Sequence, residues 1–79
     1  MYAEMFPQKI AKARIESGYT QREVEKLTKI SHSKISKYET GHLEPNLETL
    51  GILADFYCVS VDWLLGTKGY NWNPNKPKE

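Results

Sequence analysis

Apolar residues recur along this chain at intervals of three and four, the spacing of helices that bury one face. Near the start, Phe6, Ile10, Ala13 and Ser17 share one face, while Lys9, Lys12 and Glu16 lie mainly elsewhere. Pro7 suits a helix N1 position and Gly18 a terminator just past the end, so the pattern predicts a helix over residues 7–17. Two short segments follow Thr20 and Ser31. The second of them places Ile35 and Tyr38 on a buried side and His32, Ser33, Ser36 and Lys37 on an outer one, and Gly41 stops it. Asn46 is a suitable cap for a fourth helix over residues 47–57, whose stripe is Leu47, Leu50, Leu53, Ala54 and Tyr57. Ser60 caps a short fifth, with Val59 and Leu64 in staple positions and Asp62 in its first turn. After Gly66 the chain reads TKGYNWNPNKPKE, polar and rich in Pro and Asn. The expectation is an all-α, five-helix domain in residues 1–66, with a polar, flexible tail over 67–79.

The second and third segments carry the most information. Thr20 and Glu23 form a T-x-x-E capping box: the hydroxyl serves an orphan amide and the Glu reaches back to the cap amide. Tyr19 and Val24 occupy the N′ and N4 positions, where they can staple the entering chain. Ser31 repeats the arrangement eleven residues on, with Ile30 before it and Ile35 at N4. Less a tight turn, that spacing leaves about eight residues for the earlier helix, which ends near Thr28. Two short helices joined by about three residues form a helix-turn-helix, whose second helix can enter a DNA major groove.

Composition narrows the classes. A chain of 79 residues makes one small domain with no room for a catalytic cleft between domains. Mean hydropathy is −0.63 and apolar runs are short, so neither a membrane span nor a signal peptide is expected. The single cysteine, Cys58, excludes an internal disulfide, and the chain reads as cytoplasmic. A net charge of +1 is weak support for a nucleic-acid partner, but the distribution says more. Residues 26–37 hold four lysines (Lys26, Lys29, Lys34, Lys37) and no carboxylate. Residues 44–66 hold four carboxylates (Glu44, Glu48, Asp55, Asp62) and no Lys or Arg. A dipolar molecule of this kind can orient toward a polyanion. Charge alone leaves an ordinary solvated face equally plausible; the helix-turn-helix spacing tips the balance to nucleic acid.

Other chemistries find little support. His32, His42 and Cys58 lack metal-ligand spacing and read as surface histidines and a buried cysteine, so no metal or other cofactor is expected. Ser31, Ser33 and Ser36 come with no nucleophile elbow or paired base, and helix caps and polar contacts explain them. Trp63, Leu64 and Leu65 read as core or partly as a dimer surface. Tyr70 and Trp72 are expected to dock onto the domain or a partner, since large aromatics are poorly placed in water.

The stretch from about Phe6 to Gly66 resembles the lambda-repressor-like, XRE-type helix-turn-helix regulators, which include phage repressors and Cro proteins. The carriers are Thr20-Gln21, ISHSKISKYETG around the third helix, Pro45-Asn46-Leu47-Glu48-Thr49-Leu50, and Val59 through Gly66. Each is weak alone; together they are specific. The resemblance implies a five-helix all-α fold and a non-enzymatic transcriptional regulator, a repressor by preference, that binds a double-stranded DNA operator as a homodimer. It implies that His32, Ser33 and Lys37 reach base edges from the third helix, where Lys37 can donate to guanine O6/N7 and Ser33 can pair with several bases. It implies DNA-backbone contacts for Gln21, Lys34, Ser36, Thr40 and His42; a helix N-terminus already favours phosphate at Gln21. Arg14 and Glu39 match a structural pair joining the first and third helices. The dimer surface is expected on the fifth helix (Val61, Trp63, Leu64, Leu65) and the tail.

Three positions depart from the family pattern. Glu25 replaces a small residue, so its stem leans outward or the helices pack more loosely. Lys29 replaces the turn Gly, which implies about 1 kcal/mol of strain in a left-handed backbone. Cys58 stands where Gly often ends the fourth helix. A rival reading keeps the fold but uses it mainly for protein binding, as in an antitoxin-like or adaptor subunit.

Overall fold

Residues 2–66 are described in a computed structural model, and they contain helices joined by short turns, with no strand among them. A 3-10 helix, Tyr2–Met5, leads into α1 (Phe6–Ser17); then come α2 (Gln21–Thr28), α3 (His32–Thr40), α4 (Leu47–Tyr57) and α5 (Val61–Leu65). The local chemistry sets these boundaries. Thr20, Ser31, Asn46 and Ser60 all hold an extended backbone, and each side chain accepts from the amide three residues on. Each such cap stabilises its helix by about 1 kcal/mol. Every helix ends on a left-handed residue: Gly18, Lys29, Gly41, Cys58 and Gly66.

One core serves all five helices. Its largest fully buried side chains are Ile10, Val24, Ile35, Leu53 and Leu64, one from each helix. Burying such a side chain is worth roughly 1.5–3 kcal/mol, so no helix can leave without opening the centre. Phe6, Ala13, Tyr38, Leu50, Ala54 and Tyr57 complete it, with Tyr19, Ile30, Phe56, Val59, Trp63 and Leu65 packed around the edge. α1 lies against α3, α4 and α5, and α2 against α3 and α4. Lys9 Nζ sits 5.2 Å from the centre of the Trp63 ring and ties α1 to α5.

Several expectations need correcting. α1 starts at Phe6, one residue early, behind a 3-10 helix the pattern did not announce; Ser17 is exposed although it follows the buried Phe6, Ile10 and Ala13. Leu47 is not part of the α4 stripe but 86% exposed. It is the first residue of that helix, and a helical side chain tilts toward the N-terminus, here past the end of the core. Leu64 is wholly buried, so it belongs to the core and is unavailable to a dimer surface. Cys58 is exposed, because the residue that turns a helix end projects from it. No described helix is long and apolar enough to cross a membrane. The expectations for 67–79, including docking of Tyr70 and Trp72, lie outside the described residues.

Candidate nucleic-acid interface

The helix-turn-helix is α2, the turn at Lys29–Ser31, and α3, and its geometry is built from short-range bonds. The Thr20 amide donates to Glu23 Oε1 at 2.8 Å and the Glu23 amide to Thr20 Oγ1 at 3.1 Å, closing the capping box. At the other end Thr28 Oγ1 donates back to the Val24 carbonyl (2.7 Å) and accepts from the Ile30 amide (3.2 Å), so one hydroxyl ends α2 and starts the turn. Lys29 takes φ 67° and its amide donates to the Glu25 carbonyl at 2.8 Å. Ile30 is half-buried against the core, Ser31 Oγ accepts from the Lys34 amide, and Ile35 lies 2% exposed, which aims α3. Gly41 releases the chain at φ 81°; a Cβ there would lie 3.5 Å from Pro7 Cγ.

Behind this motif a charged network joins α1, α2 and α3. Arg14 presents a fork to Glu39: Nε donates to Oε2 at 2.7 Å and Nη2 to Oε1 at 3.0 Å, while Nη1 donates to the Tyr19 carbonyl. The Arg14 and Glu39 side chains are only 16% and 7% exposed. Gln21 Nε2 donates to the same Glu39 oxygen at 3.1 Å, so the side chain read as a phosphate contact also belongs to this network. An amide nitrogen has a second N–H, which leaves Gln21 a donor for phosphate. The bond to Glu39 raises the Arg14 guanidinium above its already high ordinary value. Burial first, then the Glu39 charge, pushes the nearby Tyr57 hydroxyl up to about 12, with Arg14 opposing.

The outer face of α3 collects the candidate contact residues. Ser33, Lys34, Lys37, Thr40 and His42 are exposed; His32 and Ser36 are half-buried. Ser33 and Lys37 are one turn apart on a single face. Thr40 Oγ1 lies 2.7 Å from His42 Nδ1 and within hydrogen-bond reach of the Ser36 carbonyl (3.0 Å), so the two expected backbone contacts are linked to each other. Lys26, Lys29, Lys34 and Lys37 are all exposed, and none forms an ion pair among the described residues. His32 does have a partner: its Nδ1 lies 2.9 Å from Glu25 Oε1 on α2. Sequence reasoning noticed Glu25 as a departure but missed this contact; a carboxylate and a His seven positions apart across a turn were the only signal. Among the described residues no group of His, Cys, Asp or Glu could hold a metal ion.

Residues 10–64 match the family model described as helix-turn-helix. Over 58 residues the chain is 38% identical to the HTH-type transcriptional regulator ImmR of Bacillus subtilis, covering 73% of this chain and 46% of that protein. Over 61 residues it is 38% identical to YonR, described as an SPbeta prophage-derived uncharacterized HTH-type transcriptional regulator of the same organism, covering 77% and 56%. It is also 33% identical over 60 residues to the HTH-type transcriptional activator BcrR of Enterococcus faecalis, covering 76% and 29%. The matched region thus spans about half the length of the first two and under a third of the last.

Proposed function

The chain belongs to the helix-turn-helix family, and from that premise we propose that it is a non-enzymatic, sequence-specific double-stranded DNA-binding transcriptional regulator acting in the cytoplasm. The DNA-binding unit is residues 1–66 and α3 is the helix that enters the major groove. The observation that carries this reading is the α3 face itself. Ser33, Lys34 and Lys37 stand exposed on a helix whose start and end are both capped, beside lysines without carboxylate partners. Unpaired lysines displace counterions from phosphate, and a side chain one turn further on can then meet a base edge. His32, Ser33 and Lys37 read bases; Gln21, Lys34, Ser36, Thr40 and His42 hold the backbone.

Two copies act together on a two-fold operator, joined through Val61 and the half-buried Trp63 and Leu65 of α5. Occupancy of a promoter excludes other proteins without further contacts, so repression is the direct outcome of binding. The test is a mobility shift with the purified chain alone, on duplexes enriched from a random library. A recovered consensus supports the reading; no binding without an added protein would favour the adaptor role.

A further inference from the structure

The Glu25–His32 contact crosses the turn between the two helices of the motif, and it constrains the first residue of α3. Glu25 Oε1 and His32 Nδ1 are 2.9 Å apart, with side chains 39% and 38% exposed. The bond to His32, ahead of a weaker pull from Arg22, holds the Glu25 carboxyl below its ordinary range, so it is ionised near neutral pH. An ionised carboxylate only accepts, which puts the shared proton on Nδ1. A neutral imidazole has one N–H, so Nε2 keeps a lone pair. Nε2 has no hydrogen-bond partner among the described residues.

From this geometry we propose that Glu25 is a positioning residue for base reading: it locks His32 in the tautomer that presents an acceptor at Nε2. His32 thereby selects a base with an exocyclic amine in the major groove, adenine at N6 or cytosine at N4. The inference rests on the reading of α3 as the groove helix. Without Glu25 both tautomers are open, and the same ring would donate to guanine N7 or thymine O4 as readily as it accepts. A merely structural link between α2 and α3 would behave differently, since its loss would weaken every sequence alike. Glu25 also sets a negative charge beside a polyanion, so its removal raises affinity for unrelated DNA while lowering discrimination. That opposition of sign marks the proposed role.

The experiment measures binding to duplexes carrying each of the four bases at every site position, at about pH 8, on the alkaline side because only a neutral ring offers an acceptor at Nε2. The proteins are the full chain, Glu25→Ala, Glu25→Met, Glu25→Gln and His32→Ala, each shown to be folded by its melt. Met keeps the stem of Glu25 without its acceptor, which covers the case in which the Ala variant fails to fold. At one position the unaltered chain prefers adenine or cytosine by about five-fold, the size of one hydrogen bond. His32→Ala, Glu25→Ala and Glu25→Met lose that preference, and both Glu25 truncations bind unrelated duplex more tightly. Glu25→Gln weakens it, because the amide offers Nδ1 either an acceptor or a donor and no longer fixes the tautomer. Unchanged preference in the Glu25 truncations overturns the inference while leaving α3 as the reading helix. Absence of any base preference in the unaltered chain overturns both.

Discussion

Lys29 holds a left-handed backbone at φ 67°, and Cys58 another at φ 58°. A side chain in that region crowds the following carbonyl and costs about 1–2 kcal/mol, which glycine avoids. Gly41 and Gly66 occupy the same kind of helix end without that strain. The two strained ends persist because α2 and α4 are over-determined elsewhere, by the Thr28 hydroxyl and by the Val59 amide donating to the Ala54 carbonyl. At Lys29 the side chain also contributes a positive charge beside α3. Lys29→Ala keeps the strain and Lys29→Gly relieves it. In chemical denaturation, Lys29→Gly should be more stable than Lys29→Ala by about 1 kcal/mol, even after glycine's larger unfolded-state entropy. Equal stability would mean that the turn relaxes out of the left-handed region when the side chain is cut back.

At the level of elements, the packing of α1, α2 and α3 depends on one carboxylate. Glu39 accepts from Arg14 twice and from Gln21 once, largely out of solvent. Removing Arg14 strands that charge, so Arg14→Ala should lose about 3 kcal/mol or more. The double variant Arg14→Ala/Glu39→Ala should lose less than the two singles combined; small additive losses would mean a solvated surface contact. Acid acts on a second set of carboxylates. The Thr20 amide and hydroxyl hold the Glu23 carboxyl below its ordinary value of 4.5, and His32 does the same for Glu25. A lowered folded-state value contributes stability above the unfolded value that is lost as pH falls through the folded one. Stability should therefore decline below about pH 4.5, and less steeply in Glu23→Gln, as read from melts between neutral pH and pH 3. The four N-caps at Thr20, Ser31, Asn46 and Ser60 were legible in the sequence because each is a bond between residues three apart. The exposure of Leu47 and the reach of Glu25 to His32 were not. Those depend on where a helix axis meets the body of the molecule, which no local pattern contains. The Arg14–Glu39 pairing came from the family resemblance, since 25 positions separate its members.

For the whole molecule, one recognition helix meets too few base pairs to select a genomic site. Two copies bound about one DNA turn apart, ~34 Å, would supply the rest. Binding to two half-sites at that spacing should be cooperative, and insertion of half a turn between them should abolish the cooperativity; equal, independent binding to isolated half-sites would argue for a monomer. The central claim, that α3 reads sequence while its neighbours anchor, has a sharper test in the base-preference profile of single variants at several salt concentrations. Lys37→Ala and Ser33→Ala should each flatten preference at one or two base pairs, at ~1–3 kcal/mol. Gln21→Ala, Thr40→Ala and Lys34→Ala should weaken all sequences alike, and of these only Lys34→Ala should lower the salt slope, by about one, since it alone removes a positive charge. If Lys37→Ala and Ser33→Ala bind with base preference unchanged, α3 is not the reading helix.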